Sequence, residues 1–227
     1  MNDVVPGTEL DTVILDLDGT LVDTVYQHVL AWRSAFLSVG VDLPAWRIHR
    51  AIGIGGDRLV TQLAGRAVEN AVGDEVRQLH SMRFEDQLPH VTPTDGASEL
   101  LETLRARDLK VVVASSGEKA ITERLLSVLG AAESLHEWVA GDQVESSKPE
   151  ADLLHLAMEK VSGKAALVIG DTTWDVESAR KADFPCVTVL TGGVSHAELR
   201  EAGAVAVRES PAAITPDLDD LLSRARR

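Results

Sequence analysis

Short apolar runs alternate with amphipathic segments along most of this chain. Five runs of four to six residues are bounded by polar or glycine residues: 12–15, 111–114, 166–169, 185–190 and 204–207. Runs this short and apolar predict strands buried on both faces. Helical patterns separate the later runs. Such alternation predicts an α/β fold with a parallel sheet covered by helices on both sides.

Residues 24–90 interrupt this rhythm. Apolar side chains recur there at helical spacing in three stretches, and no convincing strand is visible: 25–36, 59–68 and 76–82. We therefore predict a helical insertion at residues 24–90, within an α/β core formed by residues 1–23 and 91–227. We call residues 24–90 the insertion.

The charge balance limits the classes of partner. Acidic residues outnumber basic ones 36 to 22, for a formal charge of −14. This disfavours nucleic acid or an anionic membrane as the main partner, and no apolar stretch approaches the ~18 residues of a membrane span. The single cysteine, Cys186, fits a reducing compartment. Because the first eleven residues lack the pattern of a secretory leader, we predict a cytoplasmic protein. We also expect it to be a monomer or a homodimer.

Polar side chains follow three of the predicted strands. These residues are Asp16, Asp18, Gly19 and Thr20 after the first run, Ser115 and Ser116 after the second, and Asp171 and Asp175 after the third. Lys148 precedes a helix that is predicted to begin near Pro149. The carboxyl ends of parallel strands meet at one edge of a sheet, where ligands bind. The sequence thus predicts a site that includes four carboxylates, the hydroxyls of two serines and one amine.

The residue types of this site indicate its chemistry. Clustered carboxylates raise each other's pKa unless a cation compensates them, and oxygen ligands favour Mg²⁺, which also binds phosphate. With Mg²⁺ and Lys148 present, a phosphate could approach a carboxylate and form an aspartyl-phosphate. The second aspartate could act as general acid and then as general base. Ser115 and backbone amides could hold the phosphoryl oxygens, and Gly19 would allow a close turn around them.

Four sequence motifs resemble those of the haloacid dehalogenase superfamily, in its Mg²⁺-dependent phosphatase branch. They are Asp16-Leu17-Asp18-Gly19-Thr20, Val113-Ala114-Ser115, Lys148-Pro149 and Gly170-Asp171-Thr172-Thr173-Trp174-Asp175. The resemblance implies a Rossmann-like core and an α-helical cap inserted after the first motif. Such a cap occurs in phosphoglycolate phosphatases and β-phosphoglucomutases.

The resemblance also implies a role for each residue. Asp16 would be the nucleophile and Asp18 the acid and base, while Gly19, Ser115, Ser116 and Lys148 would hold the phosphoryl group. Mg²⁺ would bind Asp16, the carbonyl of Asp18, and Asp171, with Asp175 as a further ligand or as support for the others. Thr20, His28 and the cap loop with Gly53, Gly55 and Gly56 would approach the substrate.

Several of these residues also have a purely structural interpretation. Asp175 could be only a helix N-cap, although capping and a metal role are compatible. The glycines at 53, 55 and 56 could form a hinge between helices, but the cap-loop interpretation is favoured. They do not form a dinucleotide fingerprint, because Arg58 stands at the third glycine position. His28 could lie in the cleft or at the edge of the core.

Three functions are consistent with these residues. The first is a phosphomonoester hydrolase of a small phosphorylated metabolite. The second is a phosphomutase, which is disfavoured because the pattern around Gly56 indicates no basic residue for a second phosphate. The third is a non-enzymatic phospho-aspartate switch, which ranks last because such domains are about half this length.

Overall fold

The computed structural model describes residues 10–130 and 132–225, and most of the segment on which the absence of a leader is predicted lies outside them. Six strands form one sheet: β1 (Thr12–Leu15), β2 (Lys110–Ser115), β3 (Glu137–Ala140), β4 (Ala166–Gly170), β5 (Cys186–Val189) and β6 (Ala206–Arg208). All neighbours are parallel, in the order β3-β2-β1-β4-β5-β6. This confirms the predicted α/β class and Rossmann-like sheet.

Strand β3 is absent from the strands that the sequence pattern predicts. It forms an edge of the sheet, and its first two residues, Glu137 and Trp138, are only partly buried. Its run of buried apolar residues is therefore too short to give the pattern shown by the central strands. Its pairing with β2 completes that side of the sheet.

Eleven α-helices occur in the described residues. Those outside the insertion are α5 (Ala97–Arg105), α6 (Lys119–Leu129), α7 (Asp152–Val161), α8 (Thr173–Lys181), α9 (His196–Ala202), α10 (Pro211–Ile214) and α11 (Leu218–Ala225). Helix α7 begins three residues after Pro149. Helices cover both faces of the sheet and bury a separate apolar cluster on each side. The alternating Val13 and Ile14 of β1, for example, are divided between these clusters.

The insertion contains the other four helices and no strand. They are α1 (Val25–Ser38), α2 (Ala45–His49), α3 (Gly56–Ala64) and α4 (Arg66–Glu85). The apolar stripe at 59–68 predicts one helix, but Gly65 divides it between α3 and α4 with a φ of 86°. A positive φ is easily adopted by glycine and breaks a right-handed helix. These helices bury their own apolar cluster, which includes Trp32 and Phe36.

Cys186 is buried in β5, where its thiol packs as a small apolar side chain. Among the helices of residues 10–130 and 132–225, none is long and apolar enough to cross a membrane.

Candidate active site

The three central strands end at the same edge of the sheet and carry the first group of site residues. Asp16 follows β1 directly, Ser115 is the last residue of β2, and Asp171 follows β4. Strand β1 lies between the other two, with Leu15 opposite both Val113 and Ile169. The sheet register therefore brings together side chains that are distant in the sequence.

Lys148 lies between two of the predicted carboxylates. Its Nζ forms an ion pair with Asp16 Oδ1 and lies 2.7 Å from Asp175 Oδ1. All three side chains are buried. Burial raises the pKa of Asp16, with Asp175 and Asp18 adding to the rise and Lys148 opposing it. Burial alone would lower the pKa of Lys148, but Asp16 and Asp175 more than offset this, so the amine stays charged.

Three carboxylates form a cluster that fits a cation. Oxygens of Asp16, Asp171 and Asp175 all lie within 4.8 Å of one another. Burial, followed by the charges of Asp16 and Asp175, raises the pKa of Asp171 well above its ordinary value. A bound cation would relieve this cost, since opposite charge favours an ionised carboxylate.

The surroundings of Asp171 test whether a metal fits. Oδ1 accepts a hydrogen bond of 2.9 Å from the Thr20 hydroxyl, whereas Oδ2 is buried with no hydrogen-bond partner among the described residues. A Cβ at Gly19 would lie 2.5 Å from this oxygen, and one at Gly192 would lie closer still. Two glycines thus leave space beside an orphaned carboxylate oxygen. An all-oxygen donor set of this kind suits a hard divalent cation such as Mg²⁺.

Asp18 has different partners from Asp16. It accepts a hydrogen bond of 2.7 Å from the Thr24 hydroxyl, and His28 Nε2 lies 3.0 Å from the same oxygen. Ser115 Oγ lies 3.3 Å from the other carboxylate oxygen. Burial would raise the pKa of Asp18, but His28 and Thr24 more than offset it, so this pKa lies below its ordinary value. The two aspartates of the first motif thus differ in their proton affinity.

A second histidine lies behind the first, and sequence reasoning missed it. His80 Nε2 of α4 lies 3.0 Å from His28 Nδ1. His28 itself lies in the cleft, as one of its two interpretations proposed, because it contacts Asp18 and lines a cavity with Asp16 and Asp18. No local signal identifies His80, because it stands within an ordinary amphipathic helix and reaches the site only through the packing of α4 against α1.

The glycine loop of the insertion also reaches the site. Ser116 Oγ donates a hydrogen bond of 3.1 Å to the Gly53 carbonyl. Gly53, Gly56 and Ser116 line a cavity of about 70 Å³ together with Asp16 and Asp18. Gly55 does not line it and packs instead against Ser147. The Thr20 hydroxyl is directed to Asp171 and not to this cavity.

Basic residues do occur near Gly56, contrary to the sequence interpretation. Arg58 follows two residues later, and Arg77 donates a hydrogen bond of 3.1 Å to the Gly56 carbonyl. Arg58 pairs with Glu150 at 2.9 Å, and Arg77 pairs with Glu69 and Asp74 at 2.7 and 2.8 Å. Sequence reasoning missed Arg77 because it is distant in the chain. Both guanidinium groups are already compensated by carboxylates.

Comparison with known proteins identifies the family. A profile of the haloacid dehalogenase-like hydrolases matches residues 13–189, which include all four motifs. The chain belongs to this family. A phosphoglycolate phosphatase of Rhodospirillum rubrum is 30% identical over 86% of this chain and 85% of its own length. An N-acetylmuramic acid 6-phosphate phosphatase of Pseudomonas aeruginosa is 28% identical over 95% of this chain and 96% of its own.

A solved structure agrees with this assignment. A hydrolase from Pseudomonas syringae superimposes with a TM-score of 0.88 at 35% identity, over 92% of this chain and 98% of that one. The predicted resemblance is therefore confirmed. The protein is a haloacid dehalogenase-like phosphatase, related to phosphoglycolate phosphatases, so the non-enzymatic switch is excluded.

Proposed function

We propose that this phosphatase is a Mg²⁺-dependent phosphomonoester hydrolase of a small phosphorylated metabolite, acting through an aspartyl-phosphate on Asp16. The observation that carries the proposal is the shared cavity of Asp16 and Asp18, with Lys148 beside Asp16. Asp16, Asp171 and the carbonyl of Asp18 would hold the metal, with Asp175 as a further ligand or as support for the others. When bound, the metal would neutralise carboxylate and phosphoryl charge.

Asp16 and Asp18 divide the first half of the reaction. An Asp16 oxygen attacks phosphorus, and the bond from phosphorus to the ester oxygen breaks. Asp18 gives its proton to the departing oxygen. Asp18 is ionised in the free protein because of His28, but a phosphoryl dianion nearby raises a carboxyl pKa and favours the protonated form. The products are an alcohol and Asp16 in phosphorylated form.

The second half reverses the role of Asp18. As a carboxylate it takes a proton from water, whose oxygen attacks phosphorus and displaces the Asp16 carboxylate. Inorganic phosphate leaves and the enzyme is restored. Lys148, Gly19, Ser115 and Ser116 would hold the phosphoryl oxygens, and residues 24–90 would act as a cap over the cavity. The contact of Ser116 with Gly53 supports that arrangement.

Hydrolysis is favoured over the mutase. A mutase must grip a second phosphate, and the two arginines near Gly56 are both engaged with carboxylates. Incubation with a hexose 1-phosphate separates these functions, because a hydrolase releases inorganic phosphate whereas a mutase forms the 6-phosphate.

The nucleophile is tested by Asp16→Asn, with p-nitrophenyl phosphate and Mg²⁺. We expect a loss of at least about 1,000-fold in kcat, because an amide is a poor nucleophile. Asp23→Asn removes an exposed carboxylate from the same segment and is the matched control. A folded Asp16→Asn variant with most of the wild-type activity contradicts the assignment. Full activity in excess chelator contradicts the metal.

A further inference from the structure

A second cavity continues from the proposed catalytic one. Its volume is about 460 Å³, within the range of about 300–1,000 Å³ for small-molecule sites. The two cavities share part of their lining: His28, Trp32, Gly56, His80, Ser116 and Gly117. A phosphoryl group held at Asp16 would therefore extend its leaving group into the larger cavity.

The lining of this larger cavity is rich in carboxylates. Five acidic residues contribute to it: Asp57, Glu69, Glu118, Asp142 and Glu145. They come from α3, α4, the start of α6 and the loop after β3, so they surround the cavity instead of forming one surface run. Clefts lined by one sign of charge concentrate their field and repel ligands of the same sign.

Arg77 is the single lysine or arginine among the described residues that line this cavity, and its charge is already used. Nη1 donates to the Gly56 carbonyl and to Glu69, while Nη2 donates to Glu69 and Asp74. All four terminal N–H groups therefore have acceptors. Two carboxylates offset one guanidinium, so Arg77 offers no free positive charge to a ligand anion.

The remaining walls are suited to a compact polar ligand. Trp32 is 4% exposed and stacks on His80 with ring centroids 3.9 Å apart, which fixes one wall in place. Carboxylates that are open to the cavity can accept hydrogen bonds from hydroxyl or ammonium donors.

We propose that the leaving group of the natural substrate is polyhydroxylated, is uncharged or carries an amine, and has no second anionic group. This rests on the proposed phosphatase function of Asp16. Glu118, Asp142 and Glu145 are specificity-determining residues in this proposal, and Glu69 contributes by neutralising Arg77. Glycolate carries a carboxylate and would fill little of the cavity. The relative from Rhodospirillum rubrum is described as a phosphoglycolate phosphatase. For this chain, in contrast, we predict that phosphoglycolate is a poor substrate.

Three hexose derivatives test the charge preference with little change in size. They are glucosamine 6-phosphate, glucose 6-phosphate and 6-phosphogluconate, with phosphoglycolate as a fourth probe. We expect kcat/KM at low salt to fall from the amine through the neutral sugar to the carboxylate, by at least about tenfold overall. Raising the salt concentration should compress the differences, because exposed charges are screened.

Charge-neutralising variants assign the preference to the cavity. Glu118→Gln and Glu145→Gln should each raise the ratio of kcat/KM for 6-phosphogluconate over glucosamine 6-phosphate about two- to fivefold, the size expected for exposed charges. Glu69→Gln should raise it further, because Arg77 loses a partner. Glu102→Gln on α5 makes the same charge change outside both cavities and is the control. Using a ratio cancels effects on the chemical step.

The outcomes separate the two proposals. An enzyme that needs Asp16 and Mg²⁺ but prefers 6-phosphogluconate or phosphoglycolate overturns the leaving-group assignment and leaves the mechanism intact. The leaving-group assignment also fails if Glu118→Gln, Glu145→Gln and Glu102→Gln change the ratio equally. Activity that survives Asp16→Asn overturns the proposed function itself.

Discussion

The absence of a side chain at Gly192 leaves space beside the Asp171 carboxylate, where we propose that the metal binds. Asp171 Oδ2 is buried and unpartnered among the described residues, and Gly192 leaves open the space beside it. We predict that Gly192→Ala weakens Mg²⁺ binding at least about tenfold, because the new Cβ would occupy the position next to that oxygen. Titration calorimetry with Mg²⁺ measures this directly, without activity.

The backbone at Gly192 makes this substitution informative. Its φ lies outside the left-handed region, so alanine adds a clash without backbone strain. Gly40→Ala is the complementary control, since its Cβ would meet nothing within 4 Å although its φ is 80°. Gly40→Ala should lower stability and leave Mg²⁺ affinity unchanged. Equal Mg²⁺ affinity in the Gly192→Ala variant and the wild type would refute a metal position beside Asp171 Oδ2.

His80 links residue chemistry to the pH dependence of stability. Burial, followed by the nearby His28, lowers the pKa of His80 well below its ordinary value. Below pH ~6.5 the unfolded chain binds a proton that the folded chain does not, so stability falls as the pH falls. We predict that His80→Gln removes up to about 1.4 kcal/mol of the stability lost between pH 7.5 and 5.5.

Chemical denaturation at several pH values measures that contribution. The variant should show a smaller decrease in the free energy of unfolding toward acid than the wild type. His90→Gln removes an exposed histidine and serves as the control. Parallel curves for the wild type and His80→Gln would contradict a neutral buried His80.

At the level of elements, the capping box that begins helix α8 includes Asp175, which also belongs to the candidate metal site. Thr172 is the N-cap of α8 and accepts from the backbone N–H of Asp175, while Asp175 Oδ2 accepts from the Thr172 N–H and hydroxyl. The expected N-cap role of Asp175 is therefore wrong, because Thr172 holds that position and Asp175 is the third residue of the helix. One oxygen of Asp175 completes the capping box and the other faces Lys148, and its metal role remains a prediction.

Helix α9 provides a matched comparison, since Ser195 and Glu198 form the same capping box there. We predict that Thr172→Ala and Ser195→Ala each cost about 1 kcal/mol in the free energy of unfolding, measured by chemical denaturation. Thr172→Ala should also weaken Mg²⁺ binding, because Asp175 Oδ2 loses the 2.6 Å hydrogen bond from the Thr172 hydroxyl that helps to orient it. Unchanged Mg²⁺ affinity in Thr172→Ala would separate capping from the metal site.

Central elements are the most predictable from sequence. The apolar run 12–15 coincides with strand β1, because buried strands show uninterrupted apolar runs, and the first sequence motif follows directly. The edge strand β3 and the break at Gly65 depend on tertiary context, which a local pattern does not contain. Sequence reasoning missed His80 and Arg77 for the same reason: α4 brings them to the cleft only by packing on α1 and α3. Their site roles remain predictions.

At the scale of the whole molecule, contacts between the insertion and the core surround the site. Ser147 Oγ donates a hydrogen bond of 2.5 Å to Asp57, and Arg58 pairs with Glu150 on the other side of Lys148 in the sequence. Both contacts tie α3 to the segment that carries the proposed phosphoryl-binding lysine. Loss of either one would favour separation of α3 from this segment.

Arg58→Met tests whether the contact of α3 with the segment around Lys148 contributes to turnover. The ion pair is partly exposed, so its removal should cost less than about 1 kcal/mol of stability. We nevertheless predict a decrease of about two- to fivefold in kcat/KM, because a more open insertion admits water and orients the leaving group less well. Arg107→Met breaks an ion pair with the more exposed Asp219, between two segments of the α/β core, and should lower stability by no more than Arg58→Met without changing kcat/KM. If the two variants have the same kcat/KM, Arg58 acts only as a surface ion pair. A decrease confined to Arg58→Met supports closure of the insertion over the sheet edge as part of catalysis.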